Sequence, residues 1–280
     1  MRARTLTGPG PFVMGVVNAT PDSFSDGGRF LAPADAVAHG LGLAAEGAAL
    51  LDVGGESTRP GSARVPEAEQ IARVVPVIAG LRARGLTIPI SVDTTRAAVA
   101  RAALAAGADL VNDVSGLAED PGLGAVVAGE GAGLVLMHMR GTPADMQSRA
   151  SYGDVVAEVA AELGEALARA AAAGVPERLL VLDPGIGFAK DAAQNVALLA
   201  RVGELRALGR PLLVGPSRKS FIGHLTGAPV SDRLPGTLAA VTACVLAGVE
   251  ILRVHDVGPV RQAALVAAAL RDATAGRQPG

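Results

Sequence analysis

Apolar residues are gathered into eight short runs spaced along the whole chain: FVMGVV (12–17), ALLDVGG (49–55), IPISVD (88–93), LVNDVSG (110–116), GLVLMHM (133–139), LLVLDPG (179–185), PLLVGPS (211–217) and ILRVHDV (251–257). Each run is near-continuous in hydrophobicity and does not alternate, as expected of parallel strands covered on both faces. Between them lie Ala-, Leu- and Glu/Arg-rich segments with helical spacing, such as ADAVAHGLGLAAEG, TRAAVARAALAAG and YGDVVAEVAAELGEALARAAAAG. Several end in glycine just past the last periodic residue, a helix C-terminus signal. Strands and helices that alternate eight times in roughly 250 residues predict an α/β fold, a closed (β/α)8 TIM barrel forming one domain over 1–280. An open doubly wound sheet is the competing architecture. No G-x-G-x-x-G follows the first strand, which argues against dinucleotide binding.

Composition narrows the function classes. Half of the 280 residues are apolar, Trp is absent and there is one Tyr, so the core must be aliphatic. A net charge of −2 offers no electrostatic reason to expect a nucleic acid or an anionic membrane as partner. The one cysteine, Cys244, excludes an internal disulfide and a multi-cysteine zinc site, and its apolar surroundings predict a core position. Two early arginines precede PFVMGVV, but that run leads into a polar loop rather than a cleavage site. The longest uncharged stretch, 234–249, falls short of the ~20 residues that a membrane span needs. A soluble cytoplasmic protein is expected. Of 25 basic residues only two are lysines, Lys190 and Lys219, which hints that a compact ammonium is wanted at one or both.

In a (β/α)8 barrel the chemistry sits at the C-terminal ends of the strands, and every run here ends in polar residues. The first leads into Asn18 and the loop NATPDSFSDGG, the second into GGESTRPG (54–61). Asp93 ends the third, Asn112 and Asp113 lie in the fourth, and His138, Asp183 and Lys219 follow in turn. The eighth carries Arg253, His255 and Asp256. Asp93 also suits the N-cap of a helix starting near Thr95. Asn112 and Asp183 stand within or at the edge of apolar runs and need partners, which a polar ligand could supply. His138 fits a satisfied structural histidine better than a catalyst; His39 and His224 fit incidental positions. The glycine-flanked loops after the first two strands suit lids that close over a ligand.

The blocks NATPDSFSDGG, DVGGESTRPG, SVDTTR, NDVSG, MHMRGTPADMQ, LDPGIGFAK, GPSRKSFIG and RVHDV, in this order over about residues 12–257, resemble the dihydropteroate synthase family. The resemblance implies a (β/α)8 barrel that joins 4-aminobenzoate to a dihydropterin methyl diphosphate with loss of diphosphate, uses Mg²⁺ and forms a homodimer. It places Asp93, Asn112, Asp183 and Lys219 around the pterin ring, in a pocket shaped by Met137, Phe188 and Gly215. Diphosphate falls to Asn18, Thr58, Arg59, Arg253 and His255, with Asn18 at or beside the metal. Ser57, Thr58, Arg59, Lys219 and Ser220 face the aminobenzoate, and the two loops close over both. Asp93, Asp183, Lys219, Asn18 and Arg253 carry the catalysis, while Lys190 is expected to be structural at the start of the sixth helix. The chemistry agrees, because carboxylates can accept from the pterin amino and ring N–H groups and Asn offers a donor and an acceptor. Ala19, Ala189 and Arg140 depart from residues common in the family (Val, Gly and Gln) without removing a proposed ligand. A pterin-binding methyltransferase domain shares the barrel and the pterin-facing residues, but it would have no use for STRPG, SRKS and RVH. A silent paralogue should have lost loop or diphosphate residues. The uncharged 234–249 segment, expected as the seventh helix, is the candidate dimer contact.

Overall fold

The computed structural model describes residues 6, 8, 10–19, 32–58 and 61–276. Eight parallel strands alternate with helices: β1 (Phe12–Asn18), α1 (Pro33–Ala45), β2 (Leu50–Gly54), α2 (Glu67–Ala83), β3 (Ile90–Asp93), α3 (Ala97–Ala105), β4 (Leu110–Asp113), α4 (Gly122–Glu130), β5 (Gly133–Met137), α5 (Val155–Ala172), β6 (Leu180–Asp183), α6 (Ala192–Ala200), β7 (Leu213–Val214), α7 (Ser220–Thr226), α8 (Leu234–Leu246), β8 (Ile251–Val254) and α9 (Val257–Thr274). Spatial order is β6-β5-β4-β3-β2-β1-β8-β7, and a parallel bridge between Leu182 and Leu212 brings the two ends together. The expected barrel is therefore present.

Two local expectations change. Six of the eight strands end before their apolar runs do, because the last residues of the run turn into a loop; β1 and β3 reach the end of theirs, and 211–217 contributes only Leu213–Val214 to the sheet. An extra short helix, α7, follows β7 and ends at Gly227 in the left-handed region, so the 234–249 segment is the eighth helix rather than the seventh. His224 thus lies in α7 and not in a loop.

The strand pleat sets the core. Outward residues such as Leu51, Val53, Ile90, Val92, Val111, Leu134 and Leu252 pack against the helices in one continuous cluster that includes Cys244. Burial pushes the Cys244 thiol up to about 12, so it behaves as a small apolar group. Inward residues Met14, Leu50, Val135, Leu213 and Ile251 fill the lower barrel. Burying a side chain of this size is worth about 1.5–3 kcal/mol, so this plug fixes the floor on which the site stands.

Two residues further along each strand points inward again, one layer higher. At that level the residue types change: Leu50 is succeeded by Asp52, Leu110 by Asn112, Val181 by Asp183 and Ile251 by Arg253. The barrel interior is apolar below and polar at the C-terminal mouth.

Candidate active site

A pocket at that mouth is lined by Thr58, Asp93, Asn112, Val114, Met137, Asp183, Ile186, Phe188, Gly215, Lys219 and Arg253, with about 320 Å³ of open space. All seven residues expected around a pterin ring are among them. Val114 and Ile186 were not foreseen. Val114, Met137 and Phe188 belong to a small apolar cluster with Met146 and Ala189, separate from the main core. It gives one side of the pocket an aromatic and aliphatic wall, while Asp93, Asn112, Asp183 and Arg253 supply a polar rim.

The rim is organised by a residue that sequence reasoning missed. Asp52, fully buried in β2, accepts from Arg253 Nε at 2.6 Å and from Asn112 Nδ2 at 3.0 Å through the same Oδ2. Arg253 also donates to Asp93 Oδ2 at 2.9 Å. Burial works against the charge on Arg253, but Asp52 and Asp93 outweigh it and hold the guanidinium above its ordinary value. Asp93 turns into the barrel and does not cap the next helix. The first N–H of α3, from Ala97, goes instead to Asp120 Oδ2 at 2.8 Å. The signal that marks Asp52 is its phase: it lies two residues beyond Leu50, on the inward face. A carboxylate in the middle of an apolar run was itself a sign of a fixed partner.

With its amide N–H committed to Asp52, Asn112 presents the carbonyl. Its Oδ1 is buried without a protein partner among the described residues. Such an orphan costs about 1–3 kcal/mol, and a ligand N–H at this point would recover it. Burial pushes Asp93 up to about 7, helped by Asp52 and opposed by Arg253; it pushes Asp183 up to about 6, opposed by the Gly185 N–H and by Lys219. Both are acceptors held near their switching point.

Lys219 stands at the N-cap of α7 with Nζ 4.2 Å from the centroid of the Phe188 ring, a cation–π distance. The β6–α6 loop lies close beneath it: a Cβ on Gly187, whose φ is +83°, would come within 2.9 Å of Lys219 Cδ. A Cβ on Gly215 would instead meet Arg253 at 3.7 Å, an ordinary contact. His138 is buried outside the pocket, between Glu162 and Lys190, as a structural histidine should be.

The outer residues are more dispersed. Asn18 ends β1 beside Gly54 of β2. Thr58 lines the pocket, and Ser57 is hydrogen-bonded to Ser62 at 3.0 Å. His255 follows β8; its Nδ1 lies 3.0 Å from Ser217 Oγ, and burial, then Arg253 and Arg218, lower it to about 4. The imidazole is therefore neutral near pH 7. Ser220 is exposed at the first turn of α7 and does not line the pocket. Arg59 and most of the first loop, 20–31, lie outside the described residues.

No cluster of three or more His, Cys, Asp or Glu side chains suits a metal ion among the described residues. A hard oxygen donor such as the Asn18 carbonyl fits Mg²⁺, which keeps several waters and takes further ligands from substrate phosphates rather than from an all-protein cage. Among the described residues, no helix is long and apolar enough to cross a membrane.

A closed parallel barrel whose mouth combines a flat apolar wall, buried carboxylates and an orphaned amide carbonyl defines a binder of polar heterocycles. The family model for pterin binding enzymes matches residues 14–255, and the chain belongs to that family. Within it the chain stands among the dihydropteroate synthases. That of Mycobacterium leprae is 51% identical over 88% of each chain. A solved Yersinia pestis dihydropteroate synthase, in complex with a sulfonamide drug, superposes with a TM-score of 0.89 at 42% identity, 94% of each chain being covered. The Xanthomonas albilineans dihydropteroate synthase in complex with 7,8-dihydropteroate does so with a TM-score of 0.83 at 44% identity, covering 97% of this chain and 95% of that one.

Proposed function

We propose that the chain condenses 6-hydroxymethyl-7,8-dihydropterin diphosphate with 4-aminobenzoate, giving 7,8-dihydropteroate and diphosphate. The observation that carries the reading is the convergence of seven residues from five strands and their loops on one pocket, with acceptors where a pterin has donors. Asp183 and Asn112 Oδ1 accept from the pyrimidine amino and ring N–H groups, Lys219 donates to ring acceptors, and Phe188 and Met137 offer the ring an apolar wall.

The pterin methylene C–O bond breaks first, and its electron pair leaves with diphosphate. The methylene cation is stabilised by the buried carboxylates Asp93 and Asp183, in a site where charge interactions are little screened. Arg253, partly committed to Asp52 and Asp93, turns its remaining N–H groups to the leaving oxygens. His255 adds a neutral donor, and Thr58 adds a hydroxyl from the second loop; a part for Arg59 rests on the family resemblance alone. Mg²⁺ held beside Asn18 would neutralise charge on the diphosphate as it departs. The aminobenzoate nitrogen then attacks the methylene and releases its proton to solvent or product, so no nucleophilic side chain is needed. Ser57 and Ser220, next in sequence to the pocket-lining Thr58 and Lys219, would receive the aminobenzoate carboxylate. Sulfonamides, which resemble that substrate, are expected to compete there.

The chain is assigned to the cytoplasm as a homodimer. Support for the dimer comes from the uncharged α8 and from Leu225, Val230 and Leu246, which are exposed on α7, before α8 and at its end.

The test is diphosphate release from the dihydropterin diphosphate with Mg²⁺, with and without 4-aminobenzoate. Release dependent on both substrates, with dihydropteroate formed, is expected. Pterin binding without turnover would mark a silent paralogue.

A further inference from the structure

The β6–α6 loop, residues 184–190, carries Phe188 and has no regular hydrogen-bond ladder of its own. Gly185, Gly187 and Ala189 all lie in the left-handed region, with φ of +71°, +83° and +47°. For alanine that conformation is strained, and it persists only where surrounding contacts impose it. The contacts centre on Lys190. Its side chain is buried, and Nζ donates to Gly185 O at 3.1 Å and to Phe188 O at 3.0 Å, while His138 Nδ1 lies 2.9 Å away. Three acceptors thus meet the three N–H groups of one ammonium.

We propose that Lys190 is a positioning residue, which by tying down the carbonyls of Gly185 and Phe188 fixes the aromatic wall of the pterin pocket. The inference rests on the reading of Phe188 as that wall.

The surroundings are built for the purpose. His138 Nε2 lies 2.9 Å from Glu162 Oε2 on α5, and Arg140 pairs with both Glu162 and Glu158. Arg140 also covers the ring of Tyr152 at 3.9 Å, and the Tyr152 hydroxyl donates to Ala189 O at 2.9 Å. One chain of contacts therefore runs from α5 to both carbonyls that follow the Phe188 side chain. Burial draws Lys190 down to about 7, against Asp183 and Glu162, and His138 further, to about 4, so of the two the lysine holds the proton. A buried ammonium is costly, and a methionine would fill the same space without that cost. What the methionine lacks is the capacity to hold two carbonyls. The composition acquires a meaning here. The chain's two lysines both act on Phe188, Lys190 through its backbone and Lys219 across its ring face.

The test is a double-mutant cycle on the full-length protein, with affinity for 6-hydroxymethyl-7,8-dihydropterin read by calorimetry. Lys190→Met should weaken binding roughly tenfold when Phe188 is present and less than about twofold in the Phe188→Ala background. An unchanged affinity in Lys190→Met, or the same loss in both backgrounds, overturns the inference while leaving the pocket intact. A Phe188→Ala protein that binds like the parent overturns the pocket reading as well. Glu162→Gln, a change at a partly exposed helix position, repeats the cycle should Lys190→Met not fold. There a loss of about threefold confined to the Phe188 background is expected, and its absence overturns the inference.

Discussion

Asp183 shows how function and stability oppose each other at a single residue. Burial raises its carboxyl from 3.8 to about 6. The folded protein thus holds a proton to higher pH than the unfolded chain, and stability falls as pH rises from about 4 through 6. The displacement corresponds to about 3 kcal/mol at neutral pH. Asp183→Asn keeps an acceptor for the Gly185 N–H, which Asp183 Oδ1 meets at 2.7 Å, and removes the buried charge. The variant is expected to gain roughly 2 kcal/mol at pH 7.5, seen as a rise of about 4–8 °C in Tm, and to lose most of that gain by pH 4. Turnover should fall roughly a hundredfold at the same time, because the amide puts an NH2 donor where the carboxylate had a second acceptor oxygen and carries no charge to stabilise a methylene cation. Asp93, pushed up to about 7, adds the pH dependence of the reaction. Activity should decline as pH drops through 7 toward 6, the carboxylates becoming neutral in turn, and a kcat/KM profile flat down to pH 5 would contradict both assignments.

At the level of elements, the strand-end loops matter more than the strands. Gly185 and Gly174 both have positive φ, +71° and +79°, yet their surroundings differ. A Cβ on Gly185 would lie 2.0 Å from the backbone oxygen of His138, whereas one on Gly174, just past α5, meets nothing within 4 Å. Gly174→Ala should therefore cost only the conformational penalty of roughly 1 kcal/mol, and Gly185→Ala at least about 3 kcal/mol, with loss of pterin binding as the loop shifts. Denaturant midpoints of the two variants check the difference. The same scale explains what the sequence made legible. Near-continuous apolar runs announce a parallel sheet because both faces are covered, and polar residues at their ends announce the mouth. Asp52 escaped because a run read as a block hides the two-residue phase that sends one aspartate inward. The β6–α6 loop also escaped, since left-handed Ala189 and the grip of Lys190 depend on contacts from α5 that no local pattern encodes. Lys190 looked merely structural because it precedes a well-capped helix, where Asp191 and Gln194 already form a reciprocal cap.

For the whole molecule, the distribution of apolar surface becomes informative. The exposed large hydrophobics among the described residues are Val196, Leu225, Val230, Leu246, Leu265, Val266 and Leu270, and all but the first fall between β7 and the C-terminal end of α9. Scattered exposed leucines are ordinary on a monomer, but the grouping of six of the seven in one stretch of the chain fits the dimer proposed above. The catalytic mouth is made by strand ends of a single chain, so covering the outer helices leaves it open. A second copy of the same chain meeting these elements about a two-fold axis satisfies both conditions. Light scattering at micromolar concentration should then give twice the chain mass. Leu246→Asp, at the exposed end of α8, should shift the protein to monomer while leaving pterin affinity within about twofold, because no pocket residue lies on α8. A parent protein that is monomeric at that concentration would reject the dimer, and a Leu246→Asp protein that stays dimeric would move the contact away from the end of α8.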